Sequence, residues 1–173
     1  MLAIEGGCGS GKSELAQRIM EHYGCPVIPM DDFFLPPALR TPERLGEPGG
    51  NIDYDRFREE VSEPLNAGRS FSYGVYDCSV MKISRQTFIP VAPLTVVEGV
   101  YSLHPKLECR YDLAIFLTLS GEEQLARIKK RSGEALLTRF SNEWIPMEGR
   151  YFEEMNVASR CDLVLSGKDI FTL

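Results

Sequence analysis

Gly6-Gly7-Cys8-Gly9-Ser10-Gly11-Lys12-Ser13 follows directly on the short apolar stretch Met1 to Ile4 and opens a segment with helical spacing. The octet fits G-x-x-x-x-G-K-[ST]. A glycine-rich turn can bend its backbone N–H groups inward around an anion, and the helix that follows adds the partial positive charge of its N-terminus. In this pattern Lys12 reaches the outer phosphates, and the Ser13 hydroxyl is placed to hold Mg²⁺. Gly6, Gly7, Cys8, Gly9, Ser10, Gly11, Lys12 and Ser13 are therefore the expected nucleotide-binding residues. A dinucleotide-binding G-x-G-x-x-G is excluded, because from Gly7 onward the third glycine position is occupied by Lys12.

Reading outward, Lys12 to Glu21 carries Leu15, Ala16 and Ile19 at helical spacing, and Gly24-Cys25-Pro26 stops it. Val27 to Met30 reads as a second strand that ends in Asp31-Asp32. In an open parallel sheet the ligand lies beyond the carboxyl ends of the strands, so this acidic pair falls beside the phosphate loop. Pro36-Pro37, Pro42, Gly46, Pro48, Gly49 and Gly50 crowd a segment without apolar periodicity, and residues 36–50 are expected to form a long, mobile surface loop. A short helix is expected over Tyr54 to Leu65, and a hairpin or extended excursion over Ser70 to Ile89. Leu94 to Val97 and Leu113 to Leu119 read as buried strands, the first ending at Glu98-Gly99. A helix follows from Glu122 to about Arg131. Glu134 to Glu154 is expected to be helical with a break at Ile145-Pro146, and Leu163 to Leu165 supplies a last strand.

Strands alternating with helices through crossover connections imply an α/β fold. The expected form is a P-loop NTPase-type three-layer sandwich with a mainly parallel sheet. At 173 residues and 43% hydrophobic content the chain fits one domain with a full core. A net charge of −6 argues against nucleic acid or an anionic membrane as a partner, since both are held by clustered Lys and Arg. The five cysteines are scattered and form no C-x-x-C pair, so neither a disulfide framework nor a zinc site is indicated. With no apolar run long enough for a signal or a span, the expected location is cytoplasmic. A homo-oligomer is compatible with the sequence and not specified by it.

A P-loop alone does not separate a switch, a motor and a small-molecule kinase. A kinase needs a carboxylate within reach of the acceptor hydroxyl, and Asp31 is the candidate base. Phosphoryl transfer also calls for a cationic segment that closes over the nucleotide. Arg127, Lys130 and Arg131 are the candidates for a short lid near residues 127–139. Arg127 and Arg131 share a helix face, Ser132-Gly133 could hinge it, and Arg139 ranks behind them.

Gly6 to Ser13, Met30-Asp31-Asp32-Phe33-Phe34, Asn51-Ile52-Asp53, Val75-Tyr76-Asp77 and Val97-Glu98-Gly99 occur in the order and approximate spacing of uridine kinases. The chain thereby resembles the phosphoribulokinase and uridine kinase family. Asp31-Asp32-Phe33-Phe34 with Trp144-Ile145-Pro146-Met147 is also similar to nicotinamide riboside kinases. The resemblance implies an ATP-dependent kinase acting on the primary hydroxyl of a small molecule, first of all the 5′-hydroxyl of a nucleoside. It makes Asp31 the catalytic base, Phe34, Asp53 and Tyr76 acceptor-binding residues, and Glu98 a carboxylate that orients Mg²⁺ through water. Rival acceptors are nicotinamide or nicotinate riboside and a non-nucleoside alcohol. From another class, a nucleotide-binding switch is the rival, although no guanine-reading N-K-x-D is present. Two departures stand out. Cys78-Ser79-Val80-Met81 occupies the stretch where uridine kinases usually carry a base-reading histidine, and Glu5 replaces a small residue before the loop. A carboxylate there would repel phosphate, so Glu5 is expected to point away or to meet Mg²⁺ through water.

Overall fold

The structure is a computed structural model and describes residues 1–168 and Ile170. Five strands, β1 (Leu2–Gly6), β2 (Val27–Pro29), β5 (Val96–Glu98), β6 (Leu113–Thr118) and β7 (Leu163–Ser166), form one sheet in the order β2-β5-β1-β6-β7. Every pairing in it is parallel. This is the α/β P-loop sandwich expected of the sequence. The strands read as near-continuous apolar runs because helices cover both faces. Alternation within β1 sorts its side chains: Leu2 and Ile4 join Ala16, Val96, Ile115 and Leu117 on one face. Ala3 joins Val97, Ala114, Phe116 and Tyr151 on the other.

Helix α1 (Lys12–Tyr23) closes at Gly24, which adopts a left-handed conformation. The second strand is shorter than expected. Pro29 ends it, and Met30–Phe33 turns into a 3₁₀ helix that swings Asp31 and Asp32 off the sheet edge. Residues 36–50 carry two short helical turns, Pro37–Leu39 and α2 (Pro42–Leu45), the latter capped by Thr41. The far end of this segment is pinned: the Arg44 guanidinium donates to the Ile52 carbonyl at 2.6 Å and lies 3.8 Å over the Tyr54 ring. Tyr54 Oη donates to the Pro48 carbonyl, which also bonds the His104 ring.

The expected short helix runs over residues 54–66 in three pieces, α3 (Tyr54–Phe57), a π segment (Arg58–Ser62) and α4 (Glu63–Asn66). The hairpin is present as β3 (Phe71–Asp77) and β4 (Lys82–Ile89), which form a separate antiparallel pair. Helix α5 (Gly121–Arg139) starts at a Ser120 cap and is interrupted at Gly133, whose φ of 78° departs from helical geometry. The expected break at Ile145-Pro146 is absent. The helix continues through a π segment (Phe140–Trp144) into α6 (Ile145–Glu154), where Pro146 sits in the first turn and its missing N–H is tolerated.

Candidate functional site

The carboxyl ends of β1, β2 and β5 converge on one edge of the sheet, and the phosphate loop stands at its centre. Gly6 is forced there. Its φ is 140°, and a Cβ would lie 2.4 Å from the Leu117 carbonyl oxygen. Gly9 and Gly11 also take positive φ, which turns the loop back on itself before α1. Gly11 caps α1 with no side-chain acceptor, so the first helical N–H groups are left for an anion. Lys12 lies buried under the loop, its Nζ donating to the Gly7 carbonyl at 2.9 Å. Ser13 Oγ donates to both carboxylate oxygens of Glu98, at 3.2 and 3.4 Å. The hydroxyl and the carboxylate that the sequence nominated, 85 positions apart, therefore meet.

Asp31 opens into the same cleft. Surrounding protein raises its pKa by desolvation, while Lys12 and Arg131 pull it down. Glu98 is raised for the same reason; Lys12 opposes the shift, and Asp31 adds to it. Lys12 thus sits within electrostatic reach of both carboxylates. Asp32 turns the other way and accepts from Tyr73 Oη at 2.9 Å.

Phe34 and Ile52 form an isolated antiparallel bridge, and the Asp53 N–H donates to the Phe33 carbonyl. That stitch brings Asp53 beside the Asp31 turn. Its carboxylate is partly engaged: it caps α3 through the Arg56 N–H and lies 3.7 Å from the Arg56 guanidinium. Tyr76 is buried, and its hydroxyl donates to Met81 Sδ at 3.7 Å. Met81 holds the hairpin tip with a left-handed φ of 56°. The tip leans toward the acidic turn, since the Cys78 thiol, already raised by burial, is raised further by Asp31 and lowered by Arg40.

The two arginines expected in a lid differ in their contacts. Arg127 donates to the Gly9 carbonyl at 3.3 Å and to the Gly167 carbonyl at 3.1 Å, so it clamps the loop from outside. Arg131 is exposed one turn later, just before the Gly133 break, and faces Asp31 electrostatically. Lys130 is exposed beside it, and Arg139 is engaged by Glu143 at 2.9 Å and by the Trp144 ring.

Glu5 points away from the phosphates into the second core. It is fully buried and accepts from the N–H groups of Gly6, Tyr101 and Leu103, from Ser102 Oγ and from Tyr151 Oη. Burial still wins over these donors and over Lys12, lifting its pKa to about 7.

Four residues that sequence reading did not single out complete the site. Arg56 donates to the carbonyls of Asp32 and Gly74, joining the acidic turn to the hairpin. Tyr73 holds Asp32, and Gln124 and Glu148 contact the phosphate loop. A lone arginine, tyrosine, glutamine or glutamate in an amphipathic segment carries no signal of such a role until the fold assembles it.

This edge brings together a phosphate loop, a hydroxyl–carboxylate pair and an acidic turn. The chain is similar over most of its length to uridine kinases. A uridine kinase of Clostridium perfringens is 24% identical over 88% of this chain and 80% of its own length. No family model matches the chain. Among solved structures, a possible uridine kinase from Bacillus stearothermophilus shares the fold with a TM-score of 0.71 at 20% identity, covering 95% of this chain and 86% of that one. A proposed fructose transport system kinase from a Silicibacter species matches with a TM-score of 0.71 at 22% identity, over 95% and 88%. Among the described residues, no helix is long and apolar enough to cross a membrane.

Proposed function

We propose that this protein is an ATP- and Mg²⁺-dependent kinase that phosphorylates a primary hydroxyl of a small molecule, first of all the 5′-hydroxyl of a nucleoside. The observation that carries this reading is that Lys12, hydrogen-bonded to the phosphate loop, lies within electrostatic reach of both Asp31 and Glu98, while Ser13 bonds Glu98. A base for the acceptor and a cradle for the donor then face one another, which a nucleotide switch would not require. Likeness to kinases in sequence and fold supports it.

Ser13 Oγ and the Glu98 carboxylate offer hard oxygen donors of the kind Mg²⁺ takes. Among the described residues no three or more His, Cys, Asp or Glu side chains gather into a metal cage. That suits an ion bound mainly by substrate phosphates and water, with Ser13 direct and Glu98 outside it. Bound there, the ion would neutralise charge on the transferring group.

The chain's own residues supply the rest. Lys12 and the N–H groups of Gly9 to Ser13 hold the phosphates, Asp31 orients the acceptor hydroxyl and receives its proton, and Arg131 approaches from the lid as charge develops. Phe34, Asp53 and Tyr76 border the acceptor side, where the Asp53 carboxylate, oriented by Arg56, would accept from vicinal hydroxyls through its remaining lone pairs.

A non-nucleoside alcohol is the second reading. Cys78 to Met81 offer no histidine to a pyrimidine, and the tip is exposed rather than closed on a base. Transfer of labelled γ-phosphate to a panel of nucleosides, ribosides, sugars and sugar acids tests both readings, with Asp31→Asn alongside. The expected result is transfer to one class and a loss of at least about a hundredfold in the variant. Full activity in Asp31→Asn removes the base from its role, and hydrolysis without any acceptor product favours a switch.

A further inference from the structure

Cys8 is held by both of its backbone groups. Its N–H donates to Glu148 Oε2 at 2.8 Å, and its carbonyl accepts from Gln124 Nε2 at 2.9 Å. Gln124 lies on α5 ahead of the Gly133 break, and Glu148 lies on α6 beyond it. The two helices on either side of the lid thus close on one residue of the phosphate loop.

Glu148 reaches the loop because α6 presents one face inward. Glu148, Tyr151 and Phe152 follow each other at helical spacing: Tyr151 Oη bonds Glu5, and Phe152 packs edge-on against Phe116. Glu5 in turn accepts the Gly6 N–H. The loop is therefore tied to α6 at its first residue through Glu5 and Tyr151, and at its third through Glu148. Elsewhere the contact is open. A cavity of about 220 Å³ lies between loop, β6 and α6, lined by Gly7, Ser10, Phe116, Gln124, Ile145 and Glu148 among others. Glu148 is itself buried, so its hydrogen bond is shielded from water.

We infer that Glu148 and Gln124 are positioning residues that set the shape of the phosphate loop from the two helical stretches on either side of the Gly133 break. This rests on the reading of the loop as a nucleotide-phosphate site. Neither residue touches the reacting atoms; each acts through the backbone of Cys8.

The test is calorimetric binding of a non-hydrolysable ATP analogue with Mg²⁺ to the full chain and to Glu148→Ala, Glu148→Gln and Gln124→Ala, followed by steady-state kinetics on the acceptor found above. Loss of a buried, charge-assisted hydrogen bond predicts about tenfold weaker binding or more in Glu148→Ala. Glu148→Gln, whose amide oxygen can still accept from Cys8, is expected to recover binding to within about threefold of wild type. KM for ATP should rise in Glu148→Ala and Gln124→Ala while KM for the acceptor stays put, a split that general destabilisation would not give. Should Glu148→Ala fail to fold, Gln124→Ala carries the same split. Unchanged analogue binding in the folded variants overturns the inference, as does tighter binding in Glu148→Gln, which would make the carboxylate a repellent. A wild-type chain that binds no analogue overturns the phosphate reading instead, so the two failures are distinct.

Discussion

Around Gly6 to Ser13 the backbone is fixed by neighbours it cannot shed: Leu117 behind Gly6, Gln124 and Glu148 on Cys8, Arg127 on Gly9. Around Asp31 and the hairpin tip the cleft is instead built from side chains on a 3₁₀ turn and a β-hairpin, joined mainly through Arg56 and Tyr73. The donor half is shaped by backbone in fixed positions, and the acceptor half by side chains on separate segments. Substitutions should accordingly damage chemistry and fold on the first side, and alter substrate choice at little cost in stability on the second.

The harshest test of that contrast is Lys12→Ala. Removing a preorganised cation from the phosphates should lower kcat/KM by about 10²- to 10³-fold, read in the transfer assay. A loss under tenfold would mean the loop does not hold the donor.

Glu5→Gln probes the buried backing of the same half through pH. Burial raises the Glu5 pKa from 4.5 to about 7, so between those values the folded chain keeps a proton that the unfolded chain has released. Its contribution to stability is then full below pH 4.5 and declines as pH rises through 7. The gap in unfolding free energy between wild type and Glu5→Gln should narrow by about 3 kcal/mol across that window, in urea titrations at successive pH. His104, lowered to about 4 by burial, gives the opposite slope between pH 4 and 6.5, but it does so in both proteins and drops out of the difference. A pH-independent gap would show that the five donors, not desolvation, govern Glu5.

Arg127→Ala and Arg131→Ala sharpen the boundary between the halves. Arg127 grips two carbonyls, so its loss should raise KM for ATP and lower Tm together. Arg131 is exposed, so its loss should lower kcat, by about tenfold or more, with Tm unchanged. Identical behaviour of the two would erase the distinction drawn between clamp and lid.

The smallest effect is expected at the tip. Val80 and Met81 are exposed, and Val80→Ser should change stability by less than about 0.5 kcal/mol while shifting relative KM among acceptors. A shift in KM for ATP instead would place the tip on the donor side.

The donor half was legible from sequence because it is local: one octet, one strand before it and one helix after it carry the whole pattern, and the apolar runs of β1, β5 and β6 are too continuous to mistake. The acceptor half was legible only in outline. Asp31 could be placed at the end of β2, yet Pro29 ended that strand early, and the 3₁₀ turn that aims Asp31 and Asp32 in different directions has no periodic signature. The proline expected to interrupt the last helical stretch did not, since a π segment just ahead of it moved Pro146 into a first turn. Asp53 illustrates the general limit: its ion pair with Arg56 depends on a helix start, and its nearness to Asp31 on a bridge between Phe34 and Ile52.

The sheet order also bears on how the chain folds. In β1, Leu2 pairs with Val96 on one side and Leu113 on the other, so the strand that launches the phosphate loop has no strand partner before β5. Pairings so distant in sequence close slowly, because the intervening chain must be gathered first. Until β5 and β6 dock, Gly6 has no Leu117 behind it and Glu5 has no Tyr101 turn to hold. A nucleotide offered to the refolding chain should therefore find its cradle only after the first strand has met the middle of the chain, which makes ATP a probe of late folding rather than a nucleus for it.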